Sequence, residues 1–190
     1  MNHKLNQWAA GLMLFVLLAV PALGADRTFL PNIVPPIVVH LTPIGPLPAT
    51  NHLRLAFGLP LHHHEDLPTL LQQMYDPDST NFHRYLSPEQ FTAKFGPTEA
   101  DYQKVLQFAR SNGLAVVGTY GNRQLVDVSA TVADVEKTFQ ITLYNYQLPT
   151  EHRVFYVPDT EPSCRRVCRF SVSGLNNYEL PHPAARLPSH

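Results

Sequence analysis

Apolar and polar residues alternate along several short stretches of the chain. The first, from Leu53 to Phe57, alternates with a period of two and predicts the opening strand of a domain. Further strands are predicted at 114–120, 124–130 and 141–148, with Gly121-Asn122 as a two-residue turn between the first two of these. Since 124–130 is apolar on one side and mostly polar on the other, we expect a sheet whose polar face is free for a partner.

Elsewhere the apolar positions recur at the spacing of a helix. Leu67, Leu70, Leu71 and Met74 repeat at intervals of three and four residues, and we expect this face to be buried in the core. Similar apolar stripes predict three more helices, with the sets Phe91 and Phe95; Tyr102, Val105, Leu106 and Ala109; and Val132, Val135 and Phe139.

Capping signals predict where these helices begin and end. The pairs are Ser87 with Gln90, Thr98 with Asp101, and Thr131 with Asp134, each three residues apart, and Asp66 is a further candidate cap. The second helix is expected to end at Gly96-Pro97, with the glycine free to turn left-handed.

The predicted order of strand, helices, hairpin, helix and strand belongs to the α+β class. It is the plan of a ferredoxin-like split βαβ fold, an antiparallel sheet with helices packed on one face. A chain of 190 residues with 44% hydrophobic residues is long enough for one domain with a single core.

The N-terminal segment differs in composition from the rest. Residues 1–24 have the layout of a secretory signal peptide, so we expect a secreted or periplasmic protein without membrane association after cleavage; an uncleaved anchor is the alternative. Residues 25–50 contain six prolines and predict an extended leader. Either the leader is a spacer, or its apolar residues lie against the domain: Ile33, Val34, Ile37, Val38 and Val39.

Charge excludes some partners. With 14 basic and 15 acidic residues, the chain has no nucleic-acid footprint and no polybasic membrane patch. Ten histidines would add positive charge below about pH 6, which fits either ordinary surface composition or acid sensing.

Several separated motifs resemble those of one family. The stretch from Tyr75 to Tyr102 contains His-Arg-Tyr-Leu followed by Ser-Pro-Glu-Gln-Phe, and further motifs follow at 123–128, 131–139 and 172–177. In order and spacing they resemble the activation prodomain of the sedolisin (kumamolisin-like) serine-carboxyl peptidases, over roughly Leu53 to Tyr178. We therefore expect the prodomain at 51–178 and a C-terminal tail at 179–190.

The resemblance implies a propeptide that assists folding of a subtilisin-like catalytic domain and keeps it inactive until acid conditions release it. The family's catalytic serine lies in a Gly-Thr-Ser tripeptide, which this sequence lacks, so we expect no enzyme and predict no catalytic, cofactor or metal site. In the family, the segment after the last motif enters the substrate cleft. The candidate cleft residues here are Asn177, Tyr178, Glu179 and Leu180, with a disordered terminus as the alternative.

Two other local patterns carry candidate chemistry. Cys164 and Cys168 are the two cysteines, and they could form a disulfide if the residues between them made a helical turn. The run His62 to Glu65 is interpreted as solvated residues rather than metal ligands, because consecutive side chains cannot all point at one ion.

The leading functional hypothesis is a secreted stand-alone prodomain that binds a sedolisin-like peptidase catalytic domain as inhibitor or folding assistant, and is released at acid pH. One alternative is the N-terminal remnant or split-gene half of such a peptidase. Another is a binding module that kept the fold and acquired another ligand. No cofactor is implied.

Overall fold

The computed structural model describes residues 27–149, 151, 153–165 and 169–179; the predicted signal peptide lies outside them. The described strands are β1 (Arg27–Phe29), β2 (Gly45–Pro46), β3 (His52–Gly58), β4 (Ala115–Thr119), β5 (Leu125–Thr131), β6 (Leu143–Gln147), β7 (Val154–Pro158), β8 (Ser163–Arg165) and β9 (Ser171–Ser173). The α-helices are α1 (Leu67–Tyr75), α2 (Pro88–Phe95), α3 (Glu99–Ser111) and α4 (Val132–Phe139). In this part of the chain no helix is long and apolar enough to cross a membrane.

The main sheet has four antiparallel strands in the order β4-β5-β3-β9. Helices α3 and α4 pack on one face of it, where their apolar stripes meet the inward side chains of β3 and β5 in the main core. The buried strand residues are Leu53, Leu55, Phe57, Val126, Val128 and Ala130. The prediction of an α+β fold with an antiparallel sheet is therefore confirmed, as is the alternation along β3 and β5.

The strand predicted at 141–148 forms, but the expectation that it closes the main sheet was wrong. β6 lies between β2 and β7 in a separate three-stranded sheet, and the edge beside β3 is taken by β9, with Val172 opposite Phe57. Leu143 faces the main core, whereas Tyr146 and Leu148 belong to a second, smaller cluster with Phe155 and Val157. Alternation identifies a strand but does not specify which strand pairs with it.

Most of the described leader lies against the domain. β1 pairs with β8 and β2 with β6, and the 3-10 helix Pro36–His40 replaces the expected extended conformation. Of the leader's apolar residues, Ile33 packs against the main core and Val34, Ile37 and Val38 against the second cluster, while Val39 is 79% exposed.

Three of the four predicted caps form. The hydroxyls of Ser87, Thr98 and Thr131 accept hydrogen bonds from the backbone N–H groups of Gln90, Asp101 and Asp134 at 3.1–3.2 Å. Asp66 makes no side-chain cap. Gly96 ends α2 without a left-handed turn, at φ −66°; a Cβ there would lie 2.5 Å from the carbonyl oxygen of Thr92, so close approach is what requires glycine.

The prediction that the apolar face of α1 is buried in the core was wrong. Met74 is buried, but Leu67 and Leu70 are only partly covered and Leu71 is 51% exposed. The helix packs on the 3-10 turn His64–Asp66 that precedes it, and no strand of the main sheet makes a substantial contact with it.

The hairpin between β4 and β5 is longer than predicted. The N–H of Arg123 donates to the carbonyl of Tyr120 at 2.9 Å across Gly121-Asn122, but Arg123 itself adopts a left-handed conformation at φ 57°. A bulge in β4 lies between Val116 and Gly118, so Val117 is pushed outward and is 58% exposed.

Candidate functional site

The side of the main sheet that α3 and α4 leave uncovered is the first candidate site. We call it the open face; its residues are Arg54, Ala56, Val117, Tyr120, Asp127, Ser129 and Ser173. The register sets Arg54 opposite Ser129 and Ala56 opposite Asp127. A shallow depression of about 410 Å³ lies among these strands, between Arg54, Val117, Asp127 and Ser173.

The open face carries one polar pair and one unpaired cation. The hydroxyl of Tyr120 donates to Oδ2 of Asp127 at 2.6 Å, and this bond, together with the nearby negative charge, raises the pKa of Tyr120. Arg54 is exposed and forms no ion pair with any residue that the structure describes. The face therefore carries an arginine without a described ion pair, the Asp127 carboxylate and the exposed side chains of Val117 and Tyr120.

The second candidate site lies at the C-terminal end of the described residues, around 176–178. Arg153 donates from Nη1 to the carbonyl of Asn177 at 2.9 Å and from Nη2 to the carbonyl of Tyr178 at 2.7 Å. Its Nε–H donates to Oε2 of Glu151 at 3.2 Å. We call Arg153, Asn176, Asn177 and Tyr178 the exit clamp.

The four candidate cleft residues are not equivalent. Asn177 and Tyr178 are half-buried against the domain, and the ring of Tyr178 lies 5.2 Å from that of Phe155. Glu179 is exposed, and Leu180 lies outside the described residues. Their entry into a protease cleft stays a prediction.

Neither Cys164 nor His62 is among the residues of these two sites. Cys164 is buried in β8, while Cys168 lies outside the described residues, so the disulfide stays a prediction. His62 Nε2 lies 3.5 Å from Oδ2 of Asp101. Within the described ranges, no group of three or more His, Cys, Asp or Glu side chains is arranged to hold a metal ion.

Sequence reasoning missed the exit clamp. Arg153 and Tyr178 are separated by 25 positions in the sequence, and Arg153, which immediately precedes β7, meets Tyr178 only in the folded domain. The single local signal was the Asn176-Asn177 pair, since asparagine side chains often bond to backbone groups near turns.

A sequence model of the family described as "Pro-kumamolisin, activation domain" matches residues 40–164. The chain therefore belongs to the pro-kumamolisin activation domain family. The resemblance described under sequence analysis is confirmed.

Two curated proteins illustrate the extent of the similarity. Sedolisin from Pseudomonas sp. (strain 101) is 28% identical over 148 residues, which cover 76% of this chain and 25% of that protein. Xanthomonalisin from Xanthomonas sp. (strain T-22) is 26% identical over 139 residues, which cover 72% of this chain and 17% of that protein. The chain thus spans a quarter or less of the length of these relatives.

Proposed function

We propose that this chain is an extracytoplasmic prodomain that binds the catalytic domain of a sedolisin-like serine-carboxyl peptidase, inhibits it or assists its folding, and is released at acid pH. The observation that carries the proposal is the family match over residues 40–164, which spans most of the described domain. The strand order β9-β3-β5-β4 supports assigning the sheet to the ferredoxin-like split βαβ topology.

The open face is the proposed contact surface for the catalytic domain. Stable protein interfaces bury about 800 Å² on each partner, and a four-stranded sheet face is large enough to supply much of that area. Arg54 attracts a carboxylate of the partner, because it forms no ion pair with the described residues of its own chain.

Acid release follows from loss of that attraction. A partner carboxylate that pairs with Arg54 loses its charge when it is protonated, and the complex loses the corresponding free energy of binding. A hydrogen bond from Thr98, then one from Lys104, holds the pKa of Asp101 below its usual 3.8, and a hydrogen bond from Ser87 lowers that of Glu89 below 4.5, so these two carboxylates lose their charge at a lower pH than ordinary side chains of their kind.

The test of this interface is inhibition of a purified acid-active sedolisin-like peptidase by Arg54→Gln. We expect the inhibition constant at about pH 7 to rise roughly tenfold, and its pH dependence to weaken, since one cross-interface charge pair is removed. Arg110→Gln is the matched control, because Arg110 is an exposed arginine on α3, which packs on the opposite side of the sheet. Equal constants for Arg54→Gln and the parent protein would contradict the proposed pairing of Arg54 with a partner carboxylate.

The tail needs a separate test. Deleting residues 180–190 removes the segment proposed to enter the cleft but leaves the exit clamp intact, whereas a deletion from 176 would also remove bonds that hold the domain. We expect weaker inhibition by the shortened chain. Identical constants would mean that the tail does not contribute.

A second arrangement uses the same surfaces in one polypeptide. The relatives extend far beyond the matched region, which favours a domain joined to its own catalytic domain as the alternative to one acting in trans. The mass of the protein isolated from its native host, together with the DNA that follows its coding region, distinguishes the two arrangements.

A further inference from the structure

The exit clamp fixes both the position and the direction of the backbone at residues 177 and 178. The planar guanidinium of Arg153 bonds two successive carbonyls, those of Asn177 and Tyr178, so rotation about the backbone between them breaks at least one bond. The Arg153 side chain is only 22% exposed, and its guanidinium carbon lies 5.9 Å from the centre of the Phe155 ring. Packing therefore limits the motion of the Arg153 side chain, which in turn holds the backbone at residues 177 and 178.

Asn177 adds a second set of bonds on the outer edge of β7. Its Oδ1 accepts from the N–H of Tyr156 at 2.6 Å, and its own N–H donates to the carbonyl of Tyr156 at 3.3 Å. The hydroxyl of Tyr156 donates to the carbonyl of Gly174 at 3.0 Å, two residues before the clamp begins. The segment 174–178 is thus attached to β7 at several points.

Asn176 connects this chain end to the N-terminal leader. Its Nδ2 donates to the carbonyl of Ile33 at 2.6 Å, and its Oδ1 accepts from the N–H of Tyr178 at 3.2 Å. The N–H of Ile33 in turn donates to Glu161 at 3.1 Å. The Asn176 side chain therefore links the leader, at Ile33, to Tyr178.

We propose that Arg153 and Asn176 are positioning residues that set where and in which direction the inhibitory tail leaves the domain, with Glu179 as its first free residue. The inference rests on the proposed function. A tethered segment binds at an effective concentration that depends on how well its attachment point matches the span to its site. Fixing the attachment point also lowers the conformational entropy lost when the tail enters the cleft.

The decisive experiment is a double-mutant cycle between Arg153→Lys and deletion of residues 180–190. Lysine keeps the charge and much of the stem but cannot bond two carbonyls with one planar group. We expect Arg153→Lys to raise the inhibition constant of the intact chain roughly tenfold and to change that of the shortened chain hardly at all. Such non-additivity is specific to a role that acts through the tail.

Two further variants guard against a purely structural explanation. Arg123→Lys is the matched control, because Arg123 also donates to a backbone carbonyl, that of Pro97 at 2.7 Å, but lies in the β4–β5 hairpin. Asn176→Asp removes the donor to Ile33 while keeping the acceptor for Tyr178, and we expect it to repeat the tail-dependent loss. Thermal unfolding of each protein verifies that the domain remains folded.

The outcomes separate the two proposals. If Arg153→Lys weakens inhibition by the same factor with and without the tail, or has no effect, the positioning role is wrong while the proposed function stands. If the intact chain neither inhibits a sedolisin-like peptidase nor assists its folding, in trans or when joined to it, the proposed function fails and the positioning role fails with it. Backbone order parameters give an independent readout: Tyr178 should fall from about 0.85 to below about 0.6 in Arg153→Lys, and an unchanged value would also contradict the clamp.

Discussion

Helix α3 buries Tyr102, Val105, Leu106 and Ala109 in the main core, whereas α1 buries only Met74. Both helices carry apolar residues at a spacing of three and four. The first is capped by Thr98 and packs against β4 and β5; the second begins without a side-chain cap and packs on the 3-10 turn before it. The same pattern of residues thus leads to two different environments.

The difference shows what helical periodicity determines. Spacing decides which side chains share a face of the helix, but the neighbouring elements decide whether that face is covered. Tyr102 makes this concrete, because its hydroxyl donates to the carbonyl of Leu125 at 3.1 Å and accepts from the N–H of Tyr120 at 3.2 Å. No residue of α1 has comparable bonds to the main sheet among the described contacts.

The largest expected effect that tests this comparison is on α3. Leu106→Ala removes a 5% exposed side chain from the main core and should lower the free energy of unfolding by about 2–5 kcal/mol, since it loses burial and leaves a cavity. Urea denaturation measures the change. A loss below about 1 kcal/mol would mean that α3 is not part of the cooperative core.

The next effect concerns the hydrogen bonds that attach α3 to the hairpin. Tyr102→Phe keeps the ring but removes the hydroxyl, leaving the carbonyl of Leu125 and the N–H of Tyr120 without that partner; we expect a loss of about 1–2 kcal/mol. Tyr75→Phe is the matched control at the end of α1, because Tyr75 is 69% exposed. Equal losses for the two variants would remove the distinction between the helices.

A smaller effect is the pH-dependent contribution to stability of Asp101, in the first turn of α3. The pKa of Asp101 is lowered by Thr98, Lys104 and His62, so its stabilising contribution is present above the ordinary value of 3.8 and disappears as the pH falls through the lower, folded-state value. Because the side chain is 41% exposed, solvent screening limits the contribution to about 0.5 kcal/mol or less. Asp101→Asn should therefore be slightly less stable than the parent at about pH 6, and the difference should shrink below pH 3.8. A difference that grows with acid would contradict this assignment.

Local patterns were sufficient for much of the fold. The alternation of β3 and β5, the stripes of α3 and α4, and the caps at Ser87, Thr98 and Thr131 all depend on residues within one element, and all were predicted. The position of β6, the exposure of α1 and the docking of the leader depend on contacts between distant segments. Nothing in the local spacing of residues encodes such contacts.

Of the two candidate sites, one could be predicted from local sequence and the other depends on contacts between distant segments. The polar side of β5 was visible from alternation, so the open face could be anticipated. The bulge that turns Val117 outward and the exit clamp could not, since Arg153 reaches Tyr178 only after β7 and β9 have both been positioned. The family resemblance indicated that the chain end matters, but not that Asn177 and Tyr178 would be bonded to the domain itself.

The smallest expected effect is the most direct test of α1. Leu71→Ala should change the free energy of unfolding by less than about 0.5 kcal/mol, because the side chain is already 51% exposed and alanine is the better helix former. Met74→Ala is the matched control on the same helix, since Met74 is 6% exposed, and should cost clearly more. Hydrogen exchange should also show the amides of α1 opening locally, while those of α3 require global unfolding. A loss above about 2 kcal/mol for Leu71→Ala would mean that the apolar face of α1 is covered in the folded protein, and the contrast between the two helices would then disappear.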